Sequence, residues 1–332
     1  MKKNVISVSG LPTNEFDIRD FKNEKEPVME VTLRLSNNCN FQCEYCSYYD
    51  NSHKPNSIEF MKEIINQIIK TYVDYTKIVY YFHGGEPTIY PHFIKLVEYI
   101  DHIHKSLNFS YKIEVQTNST KIKDNFFKSL VGKNIYFVCS YQQHQNNIKT
   151  FKTFINYCIE YDMMSGVDLI LEEFETTDYI EIINLYNWLV KLKIETNGRY
   201  SIQTNTVDGK DTPKEYYEIM DADEDKESLL ITYKDSSTEK VNLDKFVSEQ
   251  RNNFLFFNCN VGLNSIIIDT TINNEVSVYK CFSDILYNKN KPSIKLIDSD
   301  IKNLSEKLLK LLKPCKCLYK KCICEIQVPK WK

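Results

Sequence analysis

Between residues 30 and 205, short runs rich in Val, Ile, Tyr and Phe alternate with amphipathic helical patterns. That alternation restricts the chain to a parallel α/β architecture, because each crossover returns the next strand in the same direction. Strands are predicted at 30–35, 77–82, 111–116, 134–140, 166–171 and 199–204, and helices near 57–72, 91–106, 121–131, 147–161 and 178–193. The second strand is an almost continuous apolar run, as expected where both faces are covered. In the first helix Met61, Ile64, Ile65, Ile68 and Tyr72 recur at three- and four-residue steps and so share one face. Asn56, with Glu59 three residues on, reads as a capping box at its start. Six strands suit a partial barrel or an open doubly wound sheet, and periodicity alone does not choose between them.

A chain of 332 residues with 42% apolar and 13% aromatic side chains has ample material for a core. Its 42 basic and 45 acidic side chains leave a net charge of −3, which gives no electrostatic drive toward nucleic acid. Lys2 and Lys3 precede Val5-Ile6-Ser7-Val8-Ser9, but Gly10 and Pro12 end that run before it reaches the length of a signal peptide's apolar region. No other stretch reaches membrane-spanning length, so the expectation is a soluble, cytoplasmic protein with no membrane partner. Eleven cysteines in such a chain point to metal or cluster ligation rather than to a disulfide framework. Three crowd into residues 39–46, six lie between 259 and 324, and Cys139 and Cys158 stand apart.

The first group, Cys39, Cys43 and Cys46, forms a CxxxCxxC directly after the first strand. Three thiolates from one loop suit a [4Fe–4S] cluster with one iron left open, and sites in parallel sheets form at the carboxyl ends of strands. The alternative is a zinc site with His53 as fourth ligand. The second strand ends in His83-Gly84-Gly85-Glu86-Pro87, where two glycines let backbone approach a ligand and a carboxylate can receive an ammonium group. Gln116-Thr117-Asn118 closes the third strand and Ser140 the fourth, so polar groups end successive strands on one rim. Tyr141 and His144 follow the fourth strand, either facing substrate or filling loop and surface roles. Cys158 falls on the helical face of Ile148, Phe151, Phe154 and Ile155 and reads as a core residue, as does Cys139 on its strand. Neither GxGxxG nor GxxxxGK[ST] occurs, which excludes a dinucleotide fingerprint and a P-loop.

With Tyr45 between the second and third cysteines, the CxxxCxxC motif resembles the signature of the radical S-adenosylmethionine superfamily, CxxxCxφC with an aromatic at φ. Gly84-Gly85-Glu86-Pro87 resembles that family's GGEP motif. The resemblance implies that Cys39, Cys43 and Cys46 hold a [4Fe–4S] cluster whose open iron binds the amino and carboxylate groups of S-adenosylmethionine. It implies that Tyr45 packs near the adenine, that Gly84, Gly85, Glu86 and Pro87 grip the methionine amino group, and that Asn118 and Ser140 contact the cofactor. The implied chemistry is reductive cleavage of S-adenosylmethionine to a 5′-deoxyadenosyl radical that abstracts a substrate hydrogen.

The late cysteines resemble the SPASM/twitch auxiliary-cluster domains of one subgroup. Cys259 and Cys281 flank Ile266-Ile267-Ile268 and Val276-Ser277-Val278-Tyr279, which read as a small hairpin, and Cys315, Cys317, Cys322 and Cys324 follow. The family places Gly five residues before the second cysteine, where this chain has Val276, and the last group is CxC-x4-CxC rather than built on CxxC. The resemblance implies one auxiliary [4Fe–4S] cluster, with Cys259 and Cys281 as its surest ligands; a zinc-ribbon-like site is the alternative.

The fold expected is therefore α/β: an N-terminal extension (1–27), a partial (β/α)6 barrel (28–207), a polar linker or insertion (208–249) and a small cysteine-rich auxiliary-cluster domain (250–332). The function expected is radical modification of a peptide or protein, supplied with electrons by a donor such as flavodoxin or ferredoxin. The alternatives are the same chemistry on a small molecule (sugar, aminosugar or antibiotic precursor) and a non-catalytic zinc-binding protein. No side chain is singled out as catalytic acid or base.

Overall fold

A computed structural model describes residues 5–11, 28–46, 54–171, 176–198, 200–206, 228–233, 238–242, 258–259, 264–281, 292–312, 315–316 and 330–331. Its centre is a nine-stranded sheet. Six strands run parallel and in sequence order: β2 (Val28–Ser36), β3 (Lys77–Gly84), β4 (Ser110–Thr117), β5 (Ile135–Gln142), β6 (Met164–Leu171) and β7 (Ser201–Thr206). Each pairs with its predecessor in parallel register, for example Leu33 with Phe82 and Ser140 with Asp168. The order never reverses, so there is no switch point of the kind a doubly wound sheet requires. Successive right-handed crossovers put the helices on one face and curl the other face inward, which decides for the partial barrel.

The crossovers are α1 (Ile58–Thr71), α2 (Phe93–Leu107), α3 (Asp124–Lys128), α4 (Ile148–Glu160) and α5 (Thr176–Thr196). Every strand and helix lies within a few residues of its sequence expectation. The core sits between sheet and helices. Ile78, Tyr80 and Phe82 of β3, Ile113 and Val115 of β4 and Phe137, Cys139 and Tyr141 of β5 are fully buried there. They meet Met61, Ile64, Ile65 and Ile68 of α1, and Phe151, Phe154 and Cys158 of α4. Cys139 and Cys158 are thus both core residues, as expected. The intervening positions, such as Lys112, Glu114 and Gln116 on β4, face the inside of the curl and are only partly buried.

Two local expectations shift. The cap of α1 is Ser57, whose hydroxyl accepts from Phe60 N at 3.2 Å. Asn56 lies one residue outside the helix and is fully buried. It donates to Thr270 O at 2.6 Å and accepts from Asn274 N at 2.6 Å, pinning a distant turn. Tyr141 does not face substrate: its ring packs edge-on against Phe151 and its hydroxyl donates to Glu181 at 2.5 Å. His144 is exposed in the turn that follows β5.

The turn that Asn56 pins joins β11 (Ser265–Asp269) to β12 (Glu275–Tyr279), the hairpin expected from the sequence. β11 adds to the barrel sheet, parallel to β2, with Ile268 opposite Leu33 and Asp269 opposite Arg34. β13 (Ile294–Ile297) extends the hairpin, and α6 (Leu304–Leu309) joins the core through Leu304 and Leu308. A second, six-stranded sheet gathers β1 (Val5–Leu11), β8 (Ser228–Tyr233), β9 (Thr238–Asn242), β10 (Asn258–Cys259), β14 (Cys315–Lys316) and β15 (Lys330–Trp331). The stretch expected as a polar linker therefore contributes two strands, which pair with each other and, through β8, with the N-terminal strand. Among the described residues no helix is long and apolar enough to cross a membrane.

Candidate active site

The loop from Asn37 to Cys46 leaves the carboxyl end of β2 and carries the three clustered cysteines. Its first turn is strapped to the end of β3 by backbone: Gly85 N donates to Ser36 O at 2.6 Å and Glu86 N to Asn38 O at 2.8 Å. The two glycines make this approach possible. A Cβ on Gly84 would meet Ser36 O at 2.2 Å, and one on Gly85 would meet Asn38 O at 2.1 Å. Gly84 also holds φ +132°, a conformation closed to other residues without strain.

Glu86 is the hub that fixes this corner. It is 2% exposed, and its carboxylate accepts from Thr88 N (2.9 Å), Thr88 Oγ1 (2.5 Å), Thr117 Oγ1 (2.7 Å) and Asn118 N (2.7 Å). Burial pushes its pKa up, and these hydrogen bonds pull it back. The side chain expected to receive an ammonium group thus ties the ends of β3 and β4 together. Asn118 continues the link: its amide nitrogen donates to Asn40 Oδ1 at 2.9 Å and approaches Cys39 Sγ at 3.8 Å.

Cys39, Cys43 and Cys46 are all half-buried, and among the described residues none of them is in a disulfide. Burial pushes the Cys39 thiol up to about 11, and the charges of Glu86, Cys43 and Cys46 push the same way, against the Phe41 N–H. Packed negative charge of this kind is relieved by a cationic metal centre, which lowers the pKa of every thiol it ligates. Among the described residues no three His, Cys, Asp or Glu side chains converge on one metal ion. An iron–sulfur cluster asks less of the loop, since each thiolate binds a different iron. Tyr45 is exposed at 38%. Asn38 Oδ1 is buried beside Cys39 with no hydrogen-bond partner among the described residues. Three thiols, a glycine cradle and an orphaned acceptor fit a cluster with a small polar ligand. His53, the proposed fourth zinc ligand, lies outside the described residues.

Ser140 is buried on the rim and accepts from Gln116 Nε2 at 3.5 Å; the same nitrogen donates to Asp168 Oδ2 at 3.3 Å. This bridge leads from the rim into a cavity of about 290 Å³ on the inner face of the sheet, lined by Tyr81, His83, Glu114, Gln116, Asp168 and Gln203 among others. Asp168 is raised to about 6, first by burial and then by the Glu114 charge. His83 is lowered to about 4, by burial and by the Arg34 guanidinium, with Glu114 opposing. Sequence reasoning singled out neither Asp168 nor Glu114. Glu114 is one of several polar residues that alternate with apolar ones along β4, a pattern shared with any solvated strand face, and Asp168 is the one charged residue of β6.

Of the late cysteines, Cys259 and Cys315 are direct partners across the β10–β14 ladder, and Cys281 lies two residues beyond β12. Cys317, Cys322 and Cys324 lie outside the described residues. The ladder brings Cys259 and Cys315 together and leaves the remainder of that ligand set open.

Residues 33–144 match the family model described as the Radical SAM superfamily. The "Cysteine-type anaerobic sulfatase-maturating enzyme" of Clostridium novyi (strain NT) is 34% identical over 103 residues, 28% of this chain and 26% of that protein. The matched segment thus spans about a quarter of the curated relative's length. Among solved structures, "Native anSMEcpe with bound AdoMet and Kp18Cys peptide" covers 85% of this chain and 80% of its own at 15% identity and a TM-score of 0.52. "Native anSMEcpe with bound AdoMet and Cp18Cys peptide" matches over the same shares at 16% identity and a TM-score of 0.52, and at this identity both speak to the fold.

Proposed function

We propose, on the match of residues 33–144 to the Radical SAM superfamily, that the chain is a radical S-adenosylmethionine enzyme that modifies a peptide or protein. The observation that carries the reading is the corner in which the Cys39–Cys46 loop is strapped by backbone to Gly85 and Glu86 and by Asn118 to β4. Cys39, Cys43 and Cys46 would hold the [4Fe–4S] cluster. When bound, that cluster supplies the electron that cleaves S-adenosylmethionine to methionine and a 5′-deoxyadenosyl radical, which takes a hydrogen atom from substrate.

The chain's own residues perform the positioning. Gly84 and Gly85 let the cysteine loop's backbone press against the end of β3, and Asn38 Oδ1 would offer the methionine end an acceptor. The Glu86 carboxylate, already holding four donors, keeps that cradle in place and retains capacity at Oε2, where a single protein donor reaches it. Pro87, Asn118 and Ser140 would complete the rim, and Tyr45, exposed on the loop, would cover the adenine. Cys259, Cys281, Cys315, Cys317, Cys322 and Cys324 are the candidate ligands of an auxiliary [4Fe–4S] cluster, an assignment supported by the Cys259–Cys315 pairing. The peptide substrate is supported by the maturase identity of the curated relative. An electron donor such as flavodoxin or ferredoxin would reduce the first cluster.

The test is 5′-deoxyadenosine formation by anaerobically reconstituted protein with dithionite and S-adenosylmethionine, against a variant with Cys39, Cys43 and Cys46 all changed to Ala. Product from the wild type alone supports the reading. A colourless, zinc-loaded wild type that forms no product sinks it.

A further inference from the structure

The inner cavity carries more acceptors than the fold uses. Glu114 Oε2 receives Lys112 Nζ at 2.7 Å and Ser165 Oγ at 2.8 Å, and Asp168 Oδ2 receives Gln116. Among the described residues no hydrogen bond reaches Glu114 Oε1 or Asp168 Oδ1, and both side chains line the open volume. Two carboxylates in one cavity, each with an oxygen to spare, leave an unbalanced negative site. The cations nearby are already engaged: Lys112 with Glu114, and Arg34 with Asp269 and Asn37. Gln116 joins this site to Ser140 on the rim, so one side chain separates Asp168 from the rim of the proposed S-adenosylmethionine pocket.

We propose that this cavity is a substrate subsite for a protonated primary amine, held between Glu114 and Asp168. The assignment rests on the radical-enzyme reading above and narrows its substrate to a molecule bearing an ammonium group. A lysine side chain of a peptide and an aminosugar share that chemistry. A cation is what two carboxylates with unfilled acceptors recognise, because charge-assisted hydrogen bonds are about twice as strong as neutral ones. The groups facing Asp168 set the pH response. From β3 these are Tyr81 and His83; from β4, Glu114 with its partner Lys112; from β2, Arg34 acts through His83; β5 and β7 present the uncharged Val138, Ser201 and Gln203. His83, lowered to about 4, stays neutral above pH 5, so the response between pH 5 and 7 belongs to Asp168, which ionises near 6.

The test uses the full reconstituted chain and calorimetric binding of two probes, the tripeptide acetyl-Gly-Lys-Gly-amide and glucosamine, each beside its N-acetylated counterpart. At least one amine is expected to bind tenfold or more tightly than its acetylated form. In the wild type that binding should strengthen by close to tenfold from pH 5 to pH 7, as a cation gains from the ionised carboxylate. Asp168→Asn should weaken amine binding about tenfold and flatten its pH profile, and Glu114→Gln should weaken it while leaving the profile. The better probe names the source, peptide or sugar. Equal binding of amines and acetylated forms overturns the proposal, as does an amine preference with the same pH profile in Asp168→Asn. The wild-type pH series stands without any variant. Binding is read without S-adenosylmethionine cleavage, so iron-loaded protein that binds amines yet forms no 5′-deoxyadenosine counts against the radical reading alone.

Discussion

Two carboxyls, Glu86 at the rim and Asp168 in the cavity, share a chemistry and differ in consequence. Burial raises the pKa of both. Glu86 answers that cost, among the described residues, with four hydrogen bonds, two from Thr88 in the turn after β3 and two from Thr117 and Asn118 at the end of β4, and becomes part of the scaffold. Among the described residues Asp168 has one long hydrogen bond, from Gln116, and a charged neighbour of its own sign, Glu114. The contrast shows how to separate a carboxylate that builds a site from one that serves it: count the donors the protein itself provides.

The comparison can be broken at four points. Glu86→Ala leaves the Thr88 and Asn118 N–H groups buried without acceptors, and should cost about 4 kcal/mol in urea unfolding together with iron content after reconstitution. A loss below about 1 kcal/mol would show that Glu86 is no scaffold. Gly84→Ala forces a Cβ into Ser36 O at a φ of +132°, and an expected loss of about 3 kcal/mol and poor cluster loading would place the strain at the same corner.

Asp168 should move stability the other way. Its folded pKa of about 6 lies above the ordinary 3.8, so its favourable contribution is complete below pH 3.8 and is lost as pH rises through 6. Asp168→Asn removes that loss and should stabilise the fold by about 1–3 kcal/mol at pH 7, with no gain at pH 4. Thermal melts at the two pH values check it, and destabilisation at pH 7 would place Asp168 with Glu86. The smallest effect is expected for Thr88→Val, which withdraws one of the four donors to Glu86 and should cost about 1 kcal/mol.

The legibility of the chain follows the range of the forces involved. Hydrophobic period is local, so all six barrel strands and the five crossover helices could be read in order. Ser57 rather than Asn56 caps α1 because Asn56 is claimed by Thr270 and Asn274, more than two hundred residues away. Tyr141 turns to the helices because β5 alternates, and its position on the strand, not its polarity, fixes its face. The strands within 208–249 escaped notice because a hairpin in a polar stretch gains its stability from partners, here β1, that sequence spacing does not reveal.

The parallel α/β order, the helix-facing core and the placement of Cys39, Cys43 and Cys46 on one strand-end loop were readable from the chain alone, since periodicity and spacing are properties of short segments. It took the tertiary structure to bring β11 against β2, to place the Thr117 and Asn118 donors on Glu86, and to put Glu114 and Asp168 in one cavity. Each of those depends on which distant strands become neighbours, and burial, pKa and hydrogen-bond satisfaction exist only once they have.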